Sequence, residues 1–270
     1  MSRRVRLDSE LVRRGLARSR EQAAQLIEAG RVTVGGQVAG KPATQVDTAA
    51  ALVVTESPDG PDYVSRGAHK LLGALEAFPA LKVEGRRCLD AGASTGGFTD
   101  VLLRNGAAHV LAVDVGYGQL AWSLRTDDRV TVMERLNVRD LTPELLGEAP
   151  TLVVGDLSFI SLRLTLPPLA AVAAPLADFV MLVKPQFEVG KERVGAGGVV
   201  RDPELRAQAV RDVAAKAHEL GLSVRGVTAS PLPGPSGNVE YLLWMGKGEG
   251  EPPVADLEGE IVRAVSEGPQ

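Results

Sequence analysis

The spacing of hydrophobic and polar positions changes character near residue 60. Before that point Leu7, Leu11, Val12 and Leu16 recur at helical intervals, with Asp8 as the expected N-cap and Gly15 near the end. Ser19-Arg20-Glu21-Gln22 is a capping box that opens a second helix containing Ala23, Ala24, Leu26 and Ile27. Gly30 falls where a left-handed C-terminal cap belongs. Arg31 to Val34 alternates as a strand, Gly35-Gly36 is a two-residue hairpin turn, and the chain returns through Val38. Leu52 to Thr55 is a further short strand, and the run from Ser57 to Asp62 is turn-rich.

After residue 60, apolar runs alternate with helical patterns. Strands are predicted at Arg87–Asp90, His109–Val113, Val130–Met133, Thr151–Gly155 and Asp178–Val183, with late strands at Val224–Thr228 and Tyr241–Met245. Helices are predicted at His69–Phe78, Phe98–Arg104, Leu120–Leu124 and Pro203–Leu220, the last with Pro203 near its start. Strands that alternate with helices imply an α/β fold, a mostly parallel sheet covered on both faces. Gly246 to Pro253 is a Gly/Glu/Pro linker before a short terminal helix.

Composition narrows the class. Of 270 residues, 44% are hydrophobic and 24% charged, enough apolar surface for a folded core. The longest apolar candidate for a membrane span, Leu164 to Leu182, is broken by Pro167, Pro168, Pro175 and Asp178. No apolar stretch follows the opening Met-Ser-Arg-Arg-Val-Arg, so a secretory signal is not expected. The single cysteine, Cys88, excludes a disulfide framework and is expected in the core. A soluble cytoplasmic protein is the simplest expectation. The net charge of −4 hides an asymmetry: residues 1–40 carry eight arginines and four acids, leaving the remainder at −8. A basic head on an acidic body suggests a polyanionic partner for the head, although a solvated basic face has the same composition.

Ligands of open parallel sheets bind beyond the carboxyl ends of the strands, and four polar features fall there. The first is the loop Asp90-Ala-Gly-Ala-Ser-Thr-Gly-Gly-Phe-Thr99, whose small residues let a ligand approach backbone between a strand and a helix. Its glycines at 92, 96 and 97 do not make the dinucleotide fingerprint, and no phosphate-binding lysine follows. The second is Asp114, placed to accept hydrogen bonds from the two hydroxyls of an adenosine ribose. Asp90 suits an amino or sulfonium cation where a pyrophosphate would be repelled, so S-adenosylmethionine fits better than NAD. The others, Asp156 and Lys184, each follow an apolar strand and would face one crevice.

These residues carry a resemblance. The ordered set Lys70, Asp156, Lys184 and Glu240 is similar to the Lys-Asp-Lys-Glu tetrad of the FtsJ-like ribose 2′-O-methyltransferases. The TlyA family, also called hemolysin A, is resembled more closely. That likeness rests on Val64-Ser-Arg-Gly-Ala-His-Lys-Leu71, the loop from Asp90 to Thr99, Asp114-Val-Gly-Tyr-Gly-Gln-Leu120, Asp156-Leu-Ser-Phe-Ile-Ser161, Lys184-Pro-Gln-Phe-Glu-Val-Gly190 and the run from Ser230 to Glu240. The head resembles the small RNA-binding domain named after the fourth small-subunit ribosomal protein. The resemblance implies a Rossmann-like S-adenosylmethionine-dependent methyltransferase fold with a small N-terminal α+β RNA-binding domain. It divides the chain into residues 1–59 (RNA-binding), 60–64 (linker), 65–246 (methyltransferase) and 247–270 (linker and tail helix). It implies methyl transfer to the ribose 2′-OH of cytidine in ribosomal RNA of one or both subunits.

By the same resemblance Lys70, Asp156, Lys184 and Glu240 are the catalytic candidates. Asp90, Gly92, Ser94, Thr95, Gly96, Gly97, Asp114 and Asp156 are the candidates for S-adenosylmethionine. Arg4, Arg6, Arg18, Arg20, Lys41 and Arg66 are the expected RNA contacts; Phe159 either stacks on a splayed base or is an ordinary core residue. Lys184 is the candidate base, because partial burial and a second nearby cation favour its neutral form, with Asp156 and Glu240 orienting the lysines. Lys70 is the candidate anchor for ribose or phosphate, and the sequence leaves open which lysine is base and which is anchor. A sulfonium brings its own leaving group, so no metal is expected. Ser236-Gly237-Asn238 either shapes the pocket or is a turn. His69, His109 and His218 receive no role. The rival classes are a membrane-active cytolysin, for which the sequence offers no spanning helix, and a non-catalytic RNA-binding assembly factor.

Overall fold

A computed structural model describes residues 4–17, 19–55 and 62–269, and the chain separates into two compact units, Met1–Asp62 and Tyr63–Gln270. In the first, β1 (Arg4–Arg6) runs directly into α1 (Leu7–Arg13), followed by α2 (Arg20–Glu28), β2 (Val32–Val34), β3 (Gln37–Val38), β4 (Gln45–Asp47) and β5 (Leu52–Val54). β2 pairs antiparallel with β3 and β5, and β1 pairs antiparallel with β4. The core is Leu7, Leu11, Leu26, Ile27, Val32 and Val46. Ser19 caps α2 by accepting from the Gln22 amide, and Gly35 and Gly36 make the hairpin with φ of +57° and +83°. Two expectations are corrected. Asp8 is not the cap of α1: Arg6 holds that extended position, and Asp8 lies buried inside the helix. Helix α1 also stops at Arg13, before Leu16. The β1–β4 pairing escaped the periodicity because three-residue strands show almost no alternation. Of the turn-rich run at 57–62, only Asp62 is among the described residues.

The second unit is built from α3 (Ala68–Ala77), β6 (Arg87–Ala91), α4 (Gly97–Arg104), β7 (His109–Asp114), α5 (Trp122–Arg125), β8 (Val130–Glu134), α6 (Pro143–Leu146), β9 (Leu152–Gly155), α7 (Leu162–Val172), β10 (Ala177–Val183), α8 (Pro185–Glu188), α9 (Pro203–Glu219), β11 (Leu222–Ala229), β12 (Tyr241–Lys247) and α10 (Leu257–Glu267). Seven strands form one sheet in the order β11-β12-β10-β9-β6-β7-β8. The neighbours from β10 through β8 are parallel, and β12 is antiparallel to both β10 and β11.

The strands read as unbroken apolar runs because both faces are covered. Leu89, Val153, Phe179 and Leu243 pack with α7, α9 and α10 on one face. Cys88, Leu152, Val180 and Leu242 pack with α3 and α4 on the other, which makes Cys88 the core residue expected of it. Helix α7 was concealed by Pro167 and Pro168, which lie inside it. Each removes an intrahelical donor, and the buried stripe of Leu162, Leu166 and Leu169 compensates. Strand order reverses between β6 and β9, so the crevice of the sheet opens at their carboxyl ends.

Candidate active site at the carboxyl edge of the sheet

Topology brings six segments to that crevice. β6, β7, β9 and β10 end at Ala91, Asp114, Gly155 and Val183. Because β12 runs the opposite way, its first residue, Tyr241, lies beside Val183, and Glu240 arrives at the same edge. The first turn of α3 supplies Lys70. An acid reached through an antiparallel strand 84 positions after Asp156 has no local sequence signal, and only the register assembles the set.

The four charged residues form one chain of contacts. Glu240 Oε2 accepts from Lys70 Nζ at 2.7 Å, and Lys70 Nζ also donates to Asp156 Oδ2 at 3.3 Å. Asp156 Oδ1 lies 2.6 Å from Lys184 Nζ, an ion pair whose angles fall outside hydrogen-bond geometry. Lys184 Nζ donates to Ser158 Oγ at 2.8 Å. Lys70, Lys184 and Glu240 are buried, while Asp156 keeps partial access to solvent. Two positive and two negative groups cancel, which makes their burial tolerable. The lysines are not equivalent: Lys70 is held between two carboxylates, Lys184 by one carboxylate and a hydroxyl.

Next to this array lies the Asp90 loop. Asp90 is fully buried; its Oδ2 accepts from Thr99 Oγ1 at 2.7 Å and its Oδ1 has no partner. Burial pushes its carboxyl up to about 7; the Thr99 hydrogen bonds oppose this, and the charges of Asp156 and Asp114 add to it. Asp114 braces the loop, accepting from the amides of Ser94 at 2.8 Å and Gly116 at 2.6 Å. Ser94 and Gly92 both adopt left-handed backbone, φ +49° and +85°, so the turn is tight. A Cβ at Gly92 would press on the Asp156 carbonyl and Leu157. At Gly96 it would strike Leu124 and Leu120, and at Gly97 the Ser65 hydroxyl and the Ala68 amide. Glycine at 96 and 97 is thus already demanded by protein packing. Thr95 is exposed.

Phe159 is not a core residue. Its ring is 91% exposed, its φ is +64°, and it packs against Phe187 with centroids 5.4 Å apart. Arg66 is exposed just ahead of α3. In the other unit, Arg6 and Arg20 converge on the buried Asp8: Arg6 bonds it at 3.0 and 2.7 Å, Arg20 at 3.4 and 3.0 Å. Arg4 and Lys41 are exposed; Arg18 lies outside the described residues. Several residues escaped the sequence reading. Ser158 touches Lys184. Asp100 accepts from the Val64 amide at 2.9 Å and fixes the segment leading to Lys70. Asn238 is more than part of a turn: it is buried, accepts from the Val200 amide and donates to the Gly198 carbonyl. Phe187 and Glu188 sit inside the motif that begins at Lys184, where the charge of Glu188 among apolar neighbours was the available signal.

Comparison with known proteins places the chain in a family. Residues 63–247 match the model of the FtsJ-like methyltransferases, and residues 5–51 match the S4 domain. The chain belongs to the FtsJ-like methyltransferase family. It is 64% identical, over all of both chains, to the 16S/23S rRNA (cytidine-2′-O)-methyltransferase TlyA of Mycobacterium tuberculosis. It is 38% identical to hemolysin A of Brachyspira hyodysenteriae, over 88% of this chain and 98% of that one. A solved structure described as a hemolysin, from Streptococcus thermophilus, superposes with a TM-score of 0.74 at 40% identity, covering 99% of this chain and 96% of the other. Among the described residues no helix is long and apolar enough to cross a membrane.

Proposed function

We propose that this chain transfers a methyl group from S-adenosylmethionine to the ribose 2′-OH of cytidine in ribosomal RNA, acting in the cytoplasm. The observation that carries the reading is the contact chain Glu240–Lys70–Asp156–Lys184 at the crevice of a methyltransferase sheet. Full-length identity of 64% to an rRNA cytidine 2′-O-methyltransferase supports the same substrate.

S-adenosylmethionine supplies a methyl carried on a sulfonium leaving group. The residues fit it: a buried carboxylate with an unpartnered oxygen, Asp90, awaits a cation such as the amino group of its methionine part. The Asp114 carboxylate, though braced by two amides, retains lone pairs for ribose hydroxyls. Lys184, having first released its own proton to solvent, takes the 2′-hydroxyl proton as the oxygen attacks. It has one carboxylate contact to relinquish where Lys70 has two. Lys70 bridges Glu240 and Asp156 and anchors the ribose. Phe159, turned outward, stacks on the target base, and Arg66 meets phosphate. Arg4, Arg6, Arg20 and Lys41, with Arg18, give the S4 unit its grip on RNA phosphates. Much of the rate comes from holding hydroxyl and methyl in line.

The test is transfer of tritiated methyl to purified 30S and 50S subunits, followed by mapping of the modified nucleotide. Incorporation at a cytidine ribose is expected. RNA binding without incorporation would assign a non-catalytic assembly role, and leakage of pure liposomes would revive the cytolysin.

A further inference from the structure

The loop between β9 and α7 carries Asp156, Ser158 and Phe159, yet little of its own backbone holds it. The Asp156 amide donates to the Ala91 carbonyl at 3.2 Å. Among the described residues the amides of 157–161 make no hydrogen bond, and Phe159 sits in left-handed backbone that a phenylalanine rarely adopts. Such a conformation persists only where its surroundings impose it. Two side-chain ties do so. One is Lys184 on Asp156 and Ser158. The other is Glu188, one turn of α8 beyond Lys184.

Glu188 is buried, and burial pushes its carboxyl up against the opposing pull of Ser161, Leu162 and Arg163. Ser161 Oγ donates to Glu188 Oε2 at 2.5 Å and the Leu162 amide donates to Oε1 at 2.7 Å. Arg163 closes the knot: its Nη2 donates to the Glu188 carbonyl at 2.9 Å and its Nε to Ser161 Oγ at 3.3 Å. Capping alone does not require this carboxylate, because Ser161 already caps α7 by accepting from the Arg163 amide. Burial of this second acid is offset by its bonds to Ser161 and Leu162 and by Arg163, whose Nε lies 3.4 Å from Oε2, so that one paired cluster joins the loop, α7 and α8.

We propose that Glu188 is a positioning residue for methyl transfer: its carboxylate locks the 156–161 loop onto α8, and so sets Asp156, Ser158 and Phe159 against Lys184. Because Lys184 and Glu188 flank one short helix, the lock ties base and loop to the same rigid piece. The part of the proposal that concerns turnover rests on the methyltransferase reading above; the lock itself does not.

Three variants test it: Glu188→Ala, Glu188→Gln and Ser161→Ala. Hydrogen exchange by mass spectrometry needs no activity. Glu188→Ala is expected to speed exchange of the two hydrogen-bonded amides that bracket the loop, Asp156 and Leu162, by roughly tenfold or more, leaving those over β6 and α4 unchanged. In methyl transfer, Glu188→Ala is expected to lower kcat by roughly 10- to 100-fold, the scale of an ångström-sized misplacement, with S-adenosylmethionine affinity within about twofold of the parent. Glu188→Gln, which still accepts from Leu162 and can donate to Ser161, is expected to recover most of the rate. Combined with Phe159→Ala, the loss is expected to fall short of the product of the single losses, since both act through one loop. Unchanged exchange at Asp156 and Leu162, parent kcat in Glu188→Ala, or equal losses of kcat and cofactor affinity would each overturn the lock. If Glu188→Ala does not fold, Ser161→Ala, which removes one of the two bonds to the carboxylate, carries the same measurements. A parent protein that transfers no methyl refutes the proposed function, while the exchange result still decides the lock.

Discussion

Asp90 should cost the free protein stability, and replacing it should reveal by how much. The side chain has no exposure, one hydroxyl donor and one unpartnered oxygen. Burial raises its carboxyl from 3.8 to about 7. Below about pH 4 the folded and unfolded chains both hold this proton, and the residue is neutral in both. Between pH 4 and 7 the folded chain keeps a proton that the unfolded chain has released, so stability falls as pH rises, and the whole loss is present above 7. Three units at about 1.4 kcal/mol each set a ceiling near 4 kcal/mol. Asp90→Asn keeps the volume and the acceptor for Thr99 but puts an unpartnered NH2 where Oδ1 was, which returns about 1–3 kcal/mol. The expected net gain at pH 8 is about 1–3 kcal/mol, or roughly 2–10 °C in Tm for a unit of this size. At pH 5 the gain should vanish or reverse. The same variant is expected to bind S-adenosylmethionine roughly 10- to 100-fold more weakly, because a charge-assisted bond to the ligand cation is lost. Melting curves at pH 5, 6.5 and 8 with calorimetric titration of the cofactor check both halves. A Tm difference that does not change with pH would mean that Asp90 carries no buried charge. Unchanged affinity would refute the cation-binding role.

Lys184→Arg is expected to lower methyl transfer by at least about 10²-fold, since a guanidinium does not shed its proton near neutrality, while Lys70→Arg should be milder. Near-normal turnover in Lys184→Arg with a dead Lys70→Arg would reverse the two roles. In the small unit, Arg13 and then Arg14 hold the Glu10 carboxyl down to about 2, and Arg6 and Arg20 hold Asp8 lower still. A depressed carboxyl stabilises the fold above its unfolded value and loses that contribution on acidification. Thermal melts from pH 5 to pH 2 should therefore show an early loss that Glu10→Gln flattens; an unchanged profile would refute the pairing. Affinity for ribosomal RNA should fall with salt at a log–log slope near −0.7 to −0.9 per neutralised phosphate. Arg6→Ala with Arg20→Ala should make that slope shallower by about 1–2, and an unaltered slope would take both off the phosphates.

What the sequence disclosed, and what it withheld, follows from how each feature is encoded. The ends of β6, β7, β9 and β10 were legible because a buried strand is an apolar run and its first polar residue is the ligand-facing one. Asp90, Asp114, Asp156 and Lys184 are all such first or near-first residues. The order of the strands carries no such mark, and without β12 lying antiparallel beside β10 there is no reason to bring Glu240 within reach of Lys70. That pairing was available only through resemblance. Asp8 misled for a related reason: an acid ahead of an apolar periodic stretch has the pattern of a cap, but β1, paired with β4, runs directly into a helix that starts two residues earlier and holds Asp8 inside it.

The polar residues that support the site were the least legible, and their chemistry explains it. Glu188, Asn238 and Asp100 are buried, and each bonds backbone on a segment far away in sequence, 26, 38 and 36 positions off. A buried polar group belongs where its partners are, and partners at that separation leave no periodicity behind. The same property ties these residues to function. Each secures a segment that delivers a charged or aromatic residue to the crevice: Glu188 the Asp156–Phe159 loop, Asn238 the approach to Glu240, Asp100 the approach to Lys70. An array whose net charge is near zero gains little from its own attraction once desolvation is counted. Its geometry must therefore be imposed by neighbours, and these three carboxylate and amide ties are what impose it.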